Sequence, residues 1–288
     1  MSSEIELLKQ LRDITGAGMM DCKKYLQKAS NNIEEAVKLM RSEQGIKADK
    51  KSSRIAAEGV VYHFNSDSRC ILIEINSETD FVARSDDFIS YVNECCKIIL
   101  SSNILSEEDI LNNIDKDFNE KFENLRKNAI TKMGENIIVR RFRVFNLNDY
   151  NISGYTHNNK IGAIVCLKNQ NDELGKDICM QIVASNPIAK DEKSIDESII
   201  SSEREIFKAE LDKLDKKEDV KRNILEGKIK KFISENTLIN QPFIKDSSQT
   251  LKQILKDNEI ISYVRYQLGE GLEKKNEDFA KEVYNQIK

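Results

Sequence analysis

Histidine is scarce in this sequence, and long apolar runs are missing from it. Only His63 and His157 occur among its 288 residues, which excludes a metal site built from several histidines. No apolar stretch approaches the roughly 20 residues that a membrane-spanning helix needs. The N-terminal stretch MSSEIELLKQ carries acidic residues early, unlike a signal peptide or an Arg-rich transit peptide. We therefore expect a cytoplasmic protein that binds neither a membrane nor a metal ion.

Sequence motifs of the common enzyme classes are also missing. There is no G-x-x-x-x-G-K-[ST] phosphate-binding loop and no G-x-S-x-G nucleophile elbow. The glycine clusters GAG (16–18) and GEG (269–271) lack the strand–turn–helix context of a dinucleotide site. We therefore expect no catalytic residues and no cofactor, with an enzyme that uses an unrecognised pocket as the alternative. A protein that works by binding fits better, and in such a protein exposed apolar residues are informative.

The cysteines form no C-x-x-C pair, and most of them lie beside Ile, Leu or Val. This pattern predicts buried, reduced thiols rather than metal ligands or disulfides. The six residues concerned are Cys22, Cys70, Cys95, Cys96, Cys166 and Cys179.

The net charge of −4 is unevenly distributed along the chain. Residues 1–54 contain 11 basic and 8 acidic side chains, whereas the remainder contains 34 basic and 41 acidic ones. Since no polybasic stretch occurs, nucleic acid is not expected as a direct partner. The basic N-terminal part favours an acidic protein surface instead.

Residues 4–46 have the apolar spacing of three short helices, for example at Ile33, Ala36, Val37 and Met40. The polar segment KADKKSSR follows and has no periodicity. We predict a three-helix domain with its linker over residues 1–54.

From Gly59 onward the apolar period changes from that of a helix to that of a strand. GVVYHF and RCILIEI flank the turn NSDS and predict a β-hairpin. A helix over about 85–101, another helical region over about 106–132 and the strand NIIVRRFRVFN follow it. The same order of elements recurs from SGYTH to ISYVRYQLGEG. This repetition predicts an α+β core of two pseudo-symmetric parts, 55–145 and 146–189 with 232–266.

Residues 190–231 interrupt the second part of the core. They carry 12 basic and 12 acidic side chains and two apolar stripes on either side of the polar turn DKKED. The pattern predicts an inserted antiparallel helical hairpin, a coiled-coil arm. We predict a short C-terminal module over residues 267–288.

The stretch NSETDFVARSDD (76–87) places Phe81 and Val82 where the chain turns from a strand into a helix. Two interpretations are open. Asp80 or Ser85 caps a helix while Phe81 and Val82 fold into the core, or Phe81 is exposed and contacts a partner.

Several sequence blocks, taken in order, resemble the elongation factor Ts family, the guanine-nucleotide exchange factors of elongation factor Tu. They cover nearly the whole chain: LRDITGAGMMDCKKYL (11–26), TDFVA (79–83), KMGENIIVRR (132–141), HNNKIGAIV (157–165), NQPFI (240–244), VRYQLGEGLEK (264–274) and EDFAKEV (277–283). The resemblance implies an N-terminal domain like ubiquitin-associated domains, a two-part core, a coiled-coil arm and a short C-terminal module.

The resemblance also implies a function without covalent chemistry on this chain. The TDFV segment would enter elongation factor Tu, in its GDP-bound or nucleotide-free form, and disturb the Mg²⁺ and phosphate site so that GDP leaves. This assigns Thr79, Asp80, Phe81 and Val82 to the intrusion. Secondary partner contacts would come from Leu11, Arg12, Met19, Met20, Lys23, Lys24, Met133, Gly134 and His157.

The sequence departs from the family pattern at two places. Met133 stands where the family usually has Ile, and Asn158, Asn159 and Lys160 replace part of the common pattern H-x-G-G-R-I-G. The second departure leaves the loop geometry around His157 open.

A binding protein of another class is the alternative function. In that case the chain is an adaptor that uses its N-terminal domain to bind ubiquitin-like or nascent-chain partners, without exchange activity. A homodimer formed through the arm is compatible with either function.

Overall fold

The structure is a computed structural model, and it describes residues 4–15, 19–112, 114–148, 151–215 and 217–272. Most of the predicted C-terminal module, including the EDFAKEV block, lies outside these residues. The chain divides into two compact units. The first comprises the residues up to Phe145 and those from Tyr266 onward, and the second comprises Asn146–Arg265.

The N-terminal segment forms three helices, as predicted. They are α1 (Glu4–Thr15), α2 (Met19–Lys28) and α3 (Ile33–Lys51). The side chains that face one another form a small core of their own, comprising Leu11, Cys22, Tyr25, Leu26, Ala29, Ala36 and Met40.

The first sheet has the strand order β1-β2-β3. Its strands are β1 (Glu58–Asn65), β2 (Arg69–Ser77) and β3 (Ile138–Asn146). The predicted hairpin is confirmed, since β1 and β2 pair antiparallel along their length. Ser66 closes the turn between them: its Oγ donates to the Arg69 carbonyl and accepts from the Arg69 amide, at 3.0 and 3.1 Å.

Helices join β2 to β3 and supply most of the core of the first unit. They are α4 (Asp80–Ala83), α5 (Asp86–Leu100), α6 (Glu107–Leu111) and α7 (Lys116–Met133). The helical region predicted near 106–132 is thus two helices. The reason is local capping: the Asp115 carboxylate accepts a 2.9 Å hydrogen bond from the Phe118 amide and starts α7 anew.

Burial of the cysteines is confirmed for all six, and each is a free thiol. Cys95 and Cys96 lie on the inner face of α5. Burial raises the pKa of Cys95 to about 12 and also raises that of Cys96. Both side chains are therefore neutral core residues at physiological pH.

A fully buried carboxylate, Glu74, lies at the centre of the first sheet. It accepts hydrogen bonds from Arg140 Nη1 at 2.9 Å, Arg141 Nε at 2.7 Å and the Gly269 amide at 2.8 Å. The Arg141 guanidinium also stacks on the Tyr266 ring, 4.4 Å from its centre. These contacts attach the returning C-terminal part of the chain to the sheet.

The second unit repeats the order hairpin, helix, strand. Its sheet runs β4-β5-β8, with β4 (Asn151–His157), β5 (Ile161–Leu167) and β8 (Ile260–Gln267). Helix α8 (Asp172–Ser185) packs on this sheet through Ile178, Cys179 and Ile182. In both sheets the second strand of the hairpin is central, so the predicted two-part pseudo-symmetric α+β core is confirmed.

A small hairpin in the second unit was not predicted. It consists of β6 (Pro242–Phe243) and β7 (Asp246–Thr250) and precedes a short helix at Leu251–Leu255. Strands of this length carry too few residues to show a period. The neighbouring Gln241 is buried and accepts from Ser185 Oγ at 2.7 Å, so this part of the NQPFI block is structural.

The predicted arm is present as two helices, α9 (Glu197–Asp212) and α10 (Glu218–Asn236), which pack on each other. A connection of only a few residues joins them and requires an antiparallel arrangement. Arg204 forms an ion pair with Glu226 across the two helices. In the described part of the chain, no helix has the length and apolar composition to cross a membrane.

Candidate partner-binding site

The TDFV segment forms a helix of a single turn, α4, between β2 and α5. Thr79 is its N-cap, and the Thr79 Oγ1 accepts from the Val82 amide at 3.3 Å. Ser85 then caps α5 by accepting from the Phe88 amide at 3.3 Å. The expected Ser85 cap is confirmed, whereas Thr79 and not Asp80 caps the preceding turn.

Helix α4 directs its apolar side chains to opposite sides. Ala83 is buried, and Val82 packs half-buried against the core of the first unit. Phe81 is 83% exposed, the highest exposure of any large apolar side chain in the described residues. The interpretation that folds both Phe81 and Val82 inward is therefore wrong for Phe81 and correct for Val82.

Charged groups lie beside Phe81 on the same turn. The Asp80 carboxylate pairs with the Arg84 guanidinium at 2.9 Å, and their side chains are 40% and 78% exposed. An ion pair this exposed contributes little to stability. Both side chains are therefore available to rearrange against a partner.

The connection that leads into α4 is held by the carboxylate of Glu135. Glu135 Oε2 accepts from the Glu78 and Thr79 amides at 3.1 and 3.0 Å, and Oε1 accepts from the Thr79 hydroxyl at 2.6 Å. The Asn136 amide donates in return to Glu78 Oε1 at 2.6 Å. Glu135 and Asn136 lie within the KMGENIIVRR block, but no local pattern in the sequence distinguishes them from their neighbours.

Met133 and Gly134 lie next to this connection, directly before Glu135. Met133 ends α7 and packs half-buried against the same core as Val82. Gly134 terminates the helix with φ +79°, a left-handed conformation in which its amide donates to the Ile130 carbonyl at 2.9 Å. The structure thus brings Met133 and Gly134 close to the base of α4.

Four of the predicted N-terminal contact residues form an exposed face of α2. Met19 and Met20 are 57% and 79% exposed, and Lys23 and Lys24 are exposed beside them. Arg12 on α1 is also exposed. This arrangement of apolar and basic side chains is suited to a protein surface with a complementary acidic rim.

The prediction that Leu11 contacts a partner is wrong. Its side chain is fully buried in the three-helix core, so it cannot contact a partner directly. The apolar spacing of α1 already places Leu11 on the core side of the helix. Its role is to hold α1 against the other two helices.

His157 belongs to the second unit, where it is exposed at the end of β4. Asn158 and Asn159 form the turn with φ of +50° and +53°, and the Lys160 amide donates to the His157 carbonyl at 2.9 Å. Asparagine tolerates this left-handed conformation better than most residues. The loop left open by the sequence is therefore a tight hairpin turn, which closes without glycine. The His157 ring contacts the Tyr155 hydroxyl through Nδ1 at 3.2 Å.

Known protein families match both the N-terminal domain and the core of this chain. The family model described as "Elongation factor TS" matches residues 78–270, and a model described as "UBA-like domain" matches residues 2–47. The elongation factor Ts of Methylococcus capsulatus is 40% identical over 292 residues, covering 100% of this chain and 99% of that protein. The elongation factor Ts of Francisella tularensis subsp. novicida is 40% identical over 285 residues, covering 98% of both. The chain therefore belongs to the elongation factor Ts family.

Proposed function

We propose that this protein binds elongation factor Tu and promotes the release of GDP, after which GTP can rebind. The exposure of Phe81 on α4 carries the proposal, and membership of the elongation factor Ts family supports it. The protein would act by contact alone, as an exchange factor without catalytic residues. Phe81 would enter the partner near the nucleotide and displace the groups that order Mg²⁺ and the phosphates.

An aromatic side chain on a fixed turn is well suited to such an intrusion. Phe81 offers a large apolar surface and has few rotatable bonds, so little conformational entropy is lost on insertion. Val82 and Ala83 anchor the opposite side of the same turn in the core. Asp80 can exchange its exposed pairing with Arg84 for a contact in the partner.

The energetics follow from thermodynamic coupling. A protein that binds the nucleotide-free partner more tightly than the GDP form must weaken GDP binding by the same factor. Each tenfold weakening requires about 1.4 kcal/mol of differential binding. The Mg²⁺ and phosphate contacts are a suitable target because bound cations are among the largest local charges in a nucleotide site.

The remaining contacts would dock the protein on its partner. The exposed α2 face, with Met19, Met20, Lys23 and Lys24, would bind one surface, together with Arg12. Met133 and Gly134 would contact the partner beside the intrusion, and His157 would add a contact from the second unit. Thr79 would serve mainly to start α4, since its hydroxyl is used within the chain.

The proposal is tested by the release of fluorescent GDP from purified elongation factor Tu, chased with excess unlabelled GDP. Wild-type protein should accelerate release strongly. Phe81→Ala should lose acceleration by roughly 30-fold, which corresponds to the 2 kcal/mol or so typical of an aromatic hot spot. Leu111→Ala is the matched control, because Leu111 is 81% exposed on another short helix of the same unit.

Melting of Phe81→Ala beside Phe88→Ala shows whether a loss of exchange activity comes from a loss of folding. Phe81→Ala should melt like the wild type, since truncating an exposed side chain leaves no cavity. Phe88→Ala should lose about 3–5 kcal/mol, because Phe88 is fully buried. A well-folded wild type that fails to accelerate release from cognate partners would contradict the proposal and favour an adaptor that binds through residues 1–54.

A further inference from the structure

We propose that Glu135 is a positioning residue for Phe81. Its carboxylate holds residues 77–79, the connection from which α4 begins, and thereby determines the direction in which Phe81 projects. This inference rests on the proposed function, because Glu135 would act on GDP release only through Phe81.

Both oxygens of the Glu135 carboxylate are engaged by the connection. Oε2 accepts from two consecutive amides, Glu78 and Thr79, and Oε1 accepts from the Thr79 hydroxyl at 2.6 Å. Hydrogen bonds to an ionised acceptor are about twice as strong as neutral ones. Three such bonds fix the position and the orientation of this short segment.

The Thr79 hydroxyl transmits this constraint to α4. A hydroxyl has one proton, and here Oγ1 donates it to Glu135. Its lone pairs then face the helix, where Oγ1 accepts from the Val82 amide at 3.3 Å. The orientation of the N-cap therefore depends on a carboxylate 56 residues further along the chain.

The contacts between the two segments run in both directions. While Glu135 accepts from the Glu78 amide, the Glu78 carboxylate accepts from the Asn136 amide at 2.6 Å. Ser77 Oγ closes the connection by donating to the Thr79 carbonyl at 2.9 Å. Residues 77–79 and 135–136 therefore form one hydrogen-bonded unit.

Helix α4 needs such external support. A single turn has too few internal hydrogen bonds to be stable by itself. Val82 and Ala83 anchor one side of the turn, but Phe81 projects away from the core. Its direction is consequently set by the orientation of the whole turn, which the Glu135 contacts fix at the N-terminal end.

Glu135 is a better residue to test than its neighbour Asn136. The Asn136 amide group donates to the carbonyls of Arg54 and Ser52, at 2.8 and 3.3 Å, in the linker after α3. Removing this side chain would disturb the linker, whereas the contact of Asn136 with Glu78 is made by its backbone amide and would remain. Within the described part of the chain, the Glu135 carboxylate instead accepts hydrogen bonds directly from Glu78 and Thr79.

The first experiment measures fluorescent GDP release as a function of exchange-factor concentration for the wild type, Glu135→Ala and Glu135→Gln. Glu135→Ala should lower the maximal rate about tenfold, the order expected for losing hydrogen bonds to a charged group. The half-saturating concentration should stay close to that of the wild type, because the α2 face is unchanged. Glu135→Gln should be intermediate, since an amide has one accepting oxygen. Glu120→Ala, at an exposed glutamate on α7, is the control.

A double-variant cycle shows whether Glu135 acts through Phe81. In the Phe81→Ala background, Glu135→Ala should cause no further slowing, because the side chain that it positions is gone. Thr79→Val should behave like Glu135→Ala, since it keeps the shape of threonine but removes the hydroxyl. Thr79→Ser restores the hydroxyl and should be faster than Thr79→Val.

Amide hydrogen exchange tests the positioning without the partner. The Val82 amide should exchange faster in Glu135→Ala than in the wild type, while buried amides in the middle of α5 stay unchanged. Glu135→Gln and Thr79→Val provide the same test if Glu135→Ala fails to fold. Unchanged exchange at Val82, or additive slowing of GDP release in the double variant, would overturn the positioning role.

Failure of the inference and failure of the proposed function give different results. If the wild type accelerates GDP release and Phe81→Ala does not, a folded Glu135→Ala with wild-type activity refutes only the inference. If the wild type itself is inactive, both are refuted, although the hydrogen-exchange result still reports whether Glu135 holds α4.

Discussion

At the scale of single residues, burial separates the charged groups that build the fold from those available for binding. Glu74 is fully buried and is satisfied by Arg140, Arg141 and the Gly269 amide. Removing one partner of such a buried pair typically costs several kcal/mol because the other charge is left unpaired. Arg140 and Arg141 of the KMGENIIVRR block and Gly269 of the VRYQLGEGLEK block therefore have a role in folding.

His63 provides a prediction about pH. It lies half-buried on β1, and burial lowers the pKa of its imidazole, partly opposed by a hydrogen bond with Asn65. Between its folded pKa and the value of about 6.5 for the unfolded chain, the unfolded state binds more protons, so stability falls as pH falls. We expect the free energy of unfolding to decrease from pH 7.5 to pH 5.5, by no more than about 1.4 kcal/mol per pH unit from this group.

Denaturant titrations at several pH values measure this contribution. His63→Gln should flatten the pH dependence in that window. His157→Gln, a substitution of the exposed histidine, is the control. Equal slopes for wild type and His63→Gln would contradict the prediction.

At the scale of secondary-structure elements, close packing of α8 on β4 depends on a glycine. A Cβ added at Gly175 would lie 2.1 Å from Ser153 Oγ and 2.7 Å from Ser153 Cβ. These distances are far below van der Waals contact, so the helix or the strand would have to move. The helix could not approach the sheet this closely with a larger residue.

Gly175→Ala should therefore destabilise the protein by about 1–3 kcal/mol, the usual cost of overpacking. Ser153→Gly should restore part of this loss in the double variant, because it removes both clashing atoms.

Gly227→Ala in α10 is the opposite case, since an added Cβ there has no described atom within 4 Å. It should stabilise the protein by up to about 1 kcal/mol through helix propensity. Denaturant unfolding of the wild type, Gly175→Ala, the Gly175→Ala/Ser153→Gly double variant and Gly227→Ala measures these changes in stability.

At the scale of the whole molecule, the arm is joined to the rest of the second unit near its base. The Ile188 amide donates to the Asn236 carbonyl at 3.0 Å, and the Leu238 amide donates to the Ala189 carbonyl at 2.9 Å. Further out, α9 and α10 are linked by surface ion pairs such as Lys228 with Glu210. The outer arm therefore adds little to the core of the unit.

Shortening the arm tests this description. Replacing residues 205–225 by a short Gly/Ser linker should reduce the helical signal in circular dichroism but leave the melting of the second unit nearly unchanged. Acceleration of GDP release should also persist, because Phe81 and the α2 face belong to the first unit. The control carries the same linker inserted at residue 215 without a deletion. Loss of exchange in a folded, shortened protein would instead assign a partner contact to the arm, and light scattering would show whether a dimer is lost.

Local signals in the sequence were sufficient for most of the fold. The helices of the N-terminal domain, both long hairpins, α5 and the arm each carry a period that depends on neighbours a few residues apart. Leu11 also has the spacing of a core residue, and its burial agrees with that pattern and not with the partner contact suggested by the resemblance. The ordered blocks from LRDITGAG to LGEGLEK were sufficient for the family.

The α+β class, the repeated core and the family thus follow from the primary sequence, because periodic patterns and short blocks are properties of neighbouring residues. The outward direction of Phe81 is known only from the three-dimensional packing, since a four-residue helix is too short to show an apolar period. The contact of Glu135 with Thr79 likewise joins residues 56 positions apart. Such a contact depends on how α7 and β2 are placed by the core, which no local pattern encodes.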